Sequence, residues 1–340
     1  MNIDALKAVA AAMVAGQKGI LAADESGGTI KKRFDDIKLE ATEESRRRYR
    51  ELLFTTEGVE RYLGGAILYD ETMRQRAQDG TPFPALLAAR GIVPGIKVDE
   101  GAKPLALHPG EKVTEGLDGL RERLAEYRQL GARFAKWRAV IEIDERDLPT
   151  PFAIRANAHA LARYAALCQE ADIVPIVEPE VLMDGAHDIA RCETVTGDVL
   201  HAVFAALRGH GVALEGMLLK PNMVIAGMKC PRQASVQEVA VATLRCLYRQ
   251  VPAAVPGIVF LSGGQGAEDA TDHLNAMNAR GPHPWKVSFS YGRALQAPVI
   301  AAWKGDESRV TAAQQALLQR ARLNGLARDG QYARAMETAN

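Results

Sequence analysis

Three lysines stand inside apolar runs that read as β-strands: Lys97 in VPGIKVD (93–99), Lys136 in FAKWRA (134–139) and Lys220 in GMLLKP (216–221). The chain takes 29 of its 42 basic residues as arginine and only 13 as lysine. Arginine is thus its ordinary source of positive charge, and a lysine within a strand points to work arginine cannot do. An ammonium can lose its proton and act as nucleophile or base, whereas a guanidinium stays charged. Acids, hydroxyls and a further arginine close the neighbouring runs. Asp24 ends GILAAD (19–24), and Glu178 and Glu180 close the run that begins VPIVEP (174–179). Ser262 lies at the end of GIVFLSG (257–263), and Ser290 and Arg293 close the run that begins KVSFSYG (286–292). Lys97 and Asp99, Lys136 and Arg138, and Glu178 and Glu180 are each two residues apart, so each pair shares one face of its strand.

These groups need elements to hold them. With GAILYD (65–70) the runs number eight, and their starts are 28–46 residues apart. Helix-period stretches lie between them, among them Leu117–Leu130, Phe152–Cys168 and Asp188–Leu207. Another, near 236–249, opens with the capping box Ser235-x-x-Glu238. Strands alternating with helices imply βαβ crossovers and a parallel sheet. Eight such units suit a closed (β/α)8 TIM barrel, with a doubly wound open sheet as the alternative. The apolar N-terminus, broken by Asp4, Lys7 and Lys18, reads as an extra amphipathic helix. No linker or repeat divides the chain, so residues 1–340 are expected to form one domain.

Parallel strands should be almost continuously apolar, and these carry their polar groups at the C-terminal ends. In barrel enzymes that is the mouth where chemistry sits. A ring of structural salt bridges is the competing explanation. It fits single residues better than the set, because buried ion pairs stabilise poorly and perturbed titrating groups gather at functional sites.

Anion sites follow from the loops. LSGGQG (261–266) brings Ser262, Gly263 and Gly264 between a strand and a helix, where backbone N–H groups can approach a phosphate. SYGRAL (290–295) repeats the arrangement with Ser290, Gly292 and Arg293, whose guanidinium can grip phosphate bidentately. Phosphate sites in such barrels are frequently built after strands seven and eight. The basic group Lys31, Lys32 and Arg33, after DESGGTI, is either a solvated helix face or a second clamp.

Composition removes other classes. Formal net charge is zero, so neither nucleic acid nor an anionic membrane is expected as a partner. No run of 18 apolar residues occurs, and the N-terminus lacks the basic start of a signal peptide. Four cysteines without CxxC spacing fit free thiols in a reducing cytoplasm. Seven scattered histidines form no zinc motif, so neither metal nor cofactor is expected.

At these residues the sequence resembles class I fructose-bisphosphate aldolase. LEGMLLKPNMV (214–224) is similar to that family's Schiff-base segment. GILAADES (19–26), GIKVD (95–99), FAKWR (134–138), PIVEPE (175–180), FLSGGQ (260–265) and FSYGRALQ (289–296) match in the family's order, and the resemblance runs from about Gly16 to Tyr332. It implies a metal-independent lyase of glycolysis and gluconeogenesis, acting on a sugar bisphosphate in the cytoplasm as a homotetramer. It also implies roles. Lys220 attacks the substrate ketone, Glu178 serves as general acid and base, Lys136 assists, and Asp24 takes the C4 hydroxyl proton. Lys220 lies near Lys136 and Lys97, and neighbouring cations ease deprotonation of an amine. Ser262, Gly263, Gly292 and Arg293 hold the C1 phosphate; Ser26, Thr29, Arg33 and Lys97 lie near the C6 phosphate. Gly264, Ser290 and Arg138 complete the expected substrate-binding set. Two departures stand out. Thr29 replaces the serine of better-known animal members but keeps a hydroxyl. The residues after Tyr332 lack the tyrosine of their mobile tail, which leaves tail closure open.

Overall fold

Each apolar run is a strand in a computed structural model, which describes residues 1–144 and 147–338. In chain order they are β1 Gly19–Ala23, β2 Leu63–Leu68, β3 Val93–Lys97, β4 Phe134–Ile141, β5 Val174–Val181, β6 Leu218–Leu219, β7 Gly257–Phe260 and β8 Lys286–Tyr291. All pairs are parallel, neighbours in sequence are neighbours in space, and β1 pairs with β8 through Ile20↔Ser290. The sheet is a closed (β/α)8 barrel, and the open alternative is excluded.

The strand alternation separates two cores. Inward-facing Ile20, Ala22, Ile67, Phe134, Val174, Ile176, Leu218 and Val259 form one cluster inside the barrel. Outward-facing Leu21, Ala23, Ile96, Ala135, Trp137, Val177, Leu219 and Phe260 join the helices in the other. The inward set continues with period two into polar residues. Ala22 is followed by Asp24, Phe134 by Lys136 and Arg138, Ile176 by Glu178 and Glu180, and Leu218 by Lys220. The barrel is therefore apolar at its base and charged at its mouth.

The N-terminal helix Ile3–Met13 closes the base. Asn2 accepts a hydrogen bond from Ala5 N at 3.1 Å, and Asp4 complements the first turn. Its face Leu6, Ala10 and Met13 packs into the inner cluster. Gly64 has no room for a side chain there, because a Cβ would run into the Met13 carbonyl.

Two expectations change in detail, and one element is new. The sixth run, read as 216–221, pairs over Leu218–Leu219 alone. Pro221 has no N–H to extend the ladder, although Lys220 N still donates to Val177 O at 2.8 Å. The expected helices are present but shifted at their ends, as Leu120–Gln129, Pro151–Glu170 and Ile189–Gly209. The Ser235–Glu238 capping box forms, opening the helix Val236–Gln250. A hairpin of Ala102–Pro104 and Lys112–Thr114, not anticipated, lies beyond β3. Its Thr114 hydroxyl donates to Arg138 O at 2.7 Å, tying it to β4.

Candidate active site

Five strand ends bring opposite charges into a continuous ring at the mouth. Lys136 Nζ stands 2.7 Å from Asp24 Oδ2, 3.4 Å from Glu178 Oε2 and 3.9 Å from Asp99 Oδ2. Lys220 Nζ is 3.1 Å from Glu178 Oε1, so Glu178 lies between two ammonium groups. Lys97 Nζ pairs with Asp99 Oδ1 at 2.9 Å, and Arg138 with Glu180. Lys97, Lys136, Lys220 and Arg138 thus balance Asp24, Asp99, Glu178 and Glu180. Such balance is needed, because Lys136, Lys220 and Glu178 are almost wholly buried and an unpaired buried charge is costly.

The ring shifts its own titrations. Burial alone would push the Asp24 carboxyl up. The ammonium groups of Lys136 and Lys220, the hydrogen bond from Lys136, and Lys97 outweigh burial and hold Asp24 well below the usual carboxylate range. Burial alone would push Lys136 down, but Asp24, Glu178 and Asp99 raise it above an ordinary lysine. Lys136 is therefore a fixed cation and Asp24 a fixed anion at neutral pH. Glu180 behaves oppositely. Burial pushes it up despite Arg138, and the nearby Glu178 carboxylate adds to the rise.

A cavity of about 500 Å³ opens over this ring. Its lining includes Asp24, Ser26, Thr29, Arg33, Lys97, Lys136, Arg138, Glu178, Lys220, Ser262, Gly263, Ser290, Gly292 and Arg293. Those are all the expected site residues save Gly264. That glycine has φ of +71°, and a side chain on it would collide with Met183, so it serves the turn and not the cavity wall. Gly263 is equally constrained on the cavity side, since a Cβ would lie 2.9 Å from Glu180 Oε1.

Two helices begin at this cavity without a side-chain cap bond: Gly27–Asp35, and Arg293–Trp303 after β8. Uncapped N-termini present N–H groups and a positive dipole end to an anion. The basic group Lys31, Lys32 and Arg33 divides. Lys31 turns outward to Asp35, while Lys32 and Arg33 line the cavity. Seven basic side chains face five carboxylates in the lining, leaving an excess of positive charge suited to phosphate groups.

A family model for glycolytic class I fructose-bisphosphate aldolase matches residues 5–340. The chain belongs to the class I fructose-bisphosphate aldolase family. It is 58% identical over 333 residues to a probable fructose-bisphosphate aldolase class 1 of Xanthomonas campestris, across 98% of this chain and 99% of that protein. It is 58% identical over 316 residues to fructose-bisphosphate aldolase 1 of Toxoplasma gondii, across 93% and 87%. Among solved structures, fructose-bisphosphate aldolase from Plasmodium falciparum in complex with TRAP and a small molecule inhibitor matches with a TM-score of 0.96. That pair shares 53% identity over 97% of this chain and 96% of that one. The family's reaction is the reversible cleavage of fructose 1,6-bisphosphate to dihydroxyacetone phosphate and glyceraldehyde 3-phosphate through a Schiff base. No helix among the described residues is long and apolar enough to cross a membrane.

Sequence reasoning left some site members without a role. Asp99 was visible as the partner of Lys97 on one strand face. Its reach to Lys136 and to Arg138 N, at 3.2 Å, depends on β3 and β4 pairing as Lys97↔Lys136. Glu25 and Gln296 sit within quoted motifs, yet nothing in the spacing joins them. Residues 271 apart in sequence, they meet with Gln296 Nε2 donating to Glu25 Oε1 at 2.8 Å.

Proposed function

We propose that Lys220 is the Schiff-base lysine, that Glu178 and Asp24 move the protons of the aldol cleavage, and that Lys136 assists them as a cation. Lys220 passes its ammonium proton to Glu178, and the free amine attacks the C2 ketone of fructose 1,6-bisphosphate. Glu178, within 3.1 Å of that amine, protonates the carbinolamine oxygen, and water leaves as the imine forms. Lys136 stays charged beside Glu178 and offsets negative charge as the protons move. Asp24 takes the proton of the C4 hydroxyl while the C3–C4 bond breaks. Glyceraldehyde 3-phosphate leaves, and the bond electrons flow into the protonated imine. The resulting enamine gains at C3 a proton equivalent to the one Asp24 took from the C4 hydroxyl, and water hydrolyses the imine so formed, which releases dihydroxyacetone phosphate and frees Lys220.

The phosphates bind at two places. Ser262, Gly263, Gly292 and Arg293 take the C1 phosphate, with Ser290 beneath them. Ser26, Thr29, Arg33 and Lys97 take the C6 phosphate, and Arg138 and Glu180 flank the sugar. Two clamps favour a bisphosphate over a monophosphate. We also propose that residues 1–340 act as one catalytic domain, that the protein assembles as a homotetramer, and that it works in the cytoplasm. The four free thiols, Cys168, Cys192, Cys230 and Cys246, agree with a reducing compartment.

The single observation that carries this reading is the buried Lys220 amine against Glu178, inside a cavity rimmed by phosphate-binding loops. The test is borohydride reduction with dihydroxyacetone phosphate, followed by peptide mass mapping. The adduct is expected on Lys220. An adduct found mainly on Lys136 or Lys97 rejects the assignment.

A further inference from the structure

Glu25 is a buried carboxylate held by three separate helices. Arg33, from Gly27–Asp35, places Nη1 on Glu25 Oε1. Arg50, from Glu43–Phe54, brings Nη2 to 2.8 Å from Glu25 Oε2, an ion pair set too obliquely to be a hydrogen bond. Gln296, from Arg293–Trp303, donates Nε2 to Glu25 Oε1 at 2.8 Å and to Ala22 O at 2.6 Å. Tyr49 fixes the Gln296 amide in turn, its hydroxyl donating to Gln296 Oε1 at 3.0 Å. Every member except Arg33 is buried, and Arg33 reaches the cavity. Its other nitrogen, Nη2, faces Gly292, where an added Cβ would stand 3.8 Å away.

The charge arithmetic is unusual for a structural pair. A lone Glu25 would neutralise Arg33 and spoil it as an anion ligand. Arg50 does not line the cavity, yet it cancels Glu25. One net positive charge is left on the cluster, and Arg33 is its one cation in the cavity lining, where Glu25 also shows an edge. The carboxylate thus fixes the direction of Arg33 without removing its attraction. An oriented guanidinium loses less freedom on binding than a free one.

We propose that Glu25 is a positioning residue for Arg33. Compensated by Arg50 and locked by Gln296, it aims the Arg33 guanidinium at a substrate phosphate. This rests on the reading that Arg33 binds phosphate. Simple electrostatics gives the opposite expectation, because deleting a carboxylate beside an anion site should tighten binding.

The test is the KM and kcat of fructose 1,6-bisphosphate cleavage in a double-mutant cycle. Arg33→Ala should raise KM about tenfold, a usual loss for one charge-assisted contact. Glu25→Ala should raise KM roughly five- to tenfold while leaving kcat within about twofold, and on an Arg33→Ala background its effect should nearly vanish. Glu25→Gln, which retains an acceptor for Arg33, should recover most of the loss. If Glu25→Ala leaves Arg50 uncompensated and the protein fails to fold, Glu25→Ala with Arg50→Met removes both charges and enters the same cycle. A lower or unchanged KM in Glu25→Ala, or a full additive loss on top of Arg33→Ala, overturns the inference alone. No KM change in Arg33→Ala overturns the phosphate-binding reading of Arg33 and this inference with it.

Discussion

Asp24→Asn separates base catalysis from simple charge balance. Asparagine keeps the shape and removes the proton acceptor. General bases contribute about 10²–10⁴-fold to rate, or roughly 3–5 kcal/mol. The structure selects the lower half of that range. Lys136 at 2.7 Å holds Asp24 well below the usual carboxylate range, and a carboxylate stabilised in this way is a weak base. Single-turnover cleavage should therefore slow by about 10²–10³-fold. Imine formation should change little, because Lys220 makes its contact with Glu178 and feels Asp24 only through space. Lys136 also keeps Glu178 and Asp99 within 4 Å, at 3.4 and 3.9 Å, so it is not left uncompensated. The assay measures borohydride trapping and single-turnover cleavage on one preparation of the variant. Trapping within about threefold of the parent, beside the slower cleavage, is the expected outcome. Parallel losses in both steps would refute the argument, since they would mean that Asp24 only keeps the ring neutral.

Arg293→Ala should weaken substrate binding by about 1.5–3 kcal/mol, the value of a hydrogen bond to a charged group. The loss should be far smaller for a substrate lacking the C1 phosphate, and equal losses would assign Arg293 to loop support instead. His273, whose Nδ1 meets Gln265 Oε1 at 2.7 Å behind the phosphate loop, is pushed down to about 4 by burial. The unfolded chain therefore takes up the proton first. Its contribution to stability is complete above the unfolded value of about 6.5 and declines as pH falls toward 4, by roughly 3 kcal/mol in all. Urea unfolding at pH 7 and 4.5 should show a smaller acid loss in His273→Gln than in the parent, and equal losses would exclude this histidine as a cause. Sedimentation at micromolar concentration should give a homotetramer, and a monomer would remove the proposed assembly without touching the chemistry.

Much of this site was legible in one dimension because a strand has a period of two. That period places Lys136 with Arg138 and Glu178 with Glu180 on common faces, and it carries the inward apolar residues upward into charged ones. The preference for arginine elsewhere made Lys97, Lys136 and Lys220 conspicuous. Glycine-rich turns after β7 and β8 marked the anion loops, and eight runs separated by helices implied the barrel. None of this says which charge meets which. Lys136 reaches Asp24, 112 positions earlier, only because the sheet closes from β8 onto β1 and brings opposite walls within one side chain's length. Pairing of β5 with β4 on one side and β6 on the other gives Glu178 an amine neighbour from each. Gly264 illustrates the reverse, a motif residue that the packing of Met183 assigns to the turn. Glu25 was hidden because its partners lie on three helices, and the spacing between helices carries no periodic signal in the sequence. Local periodicity specifies the face on which a side chain emerges. The distances that make chemistry depend on barrel closure, strand register and helix packing, which are cooperative properties of the whole chain.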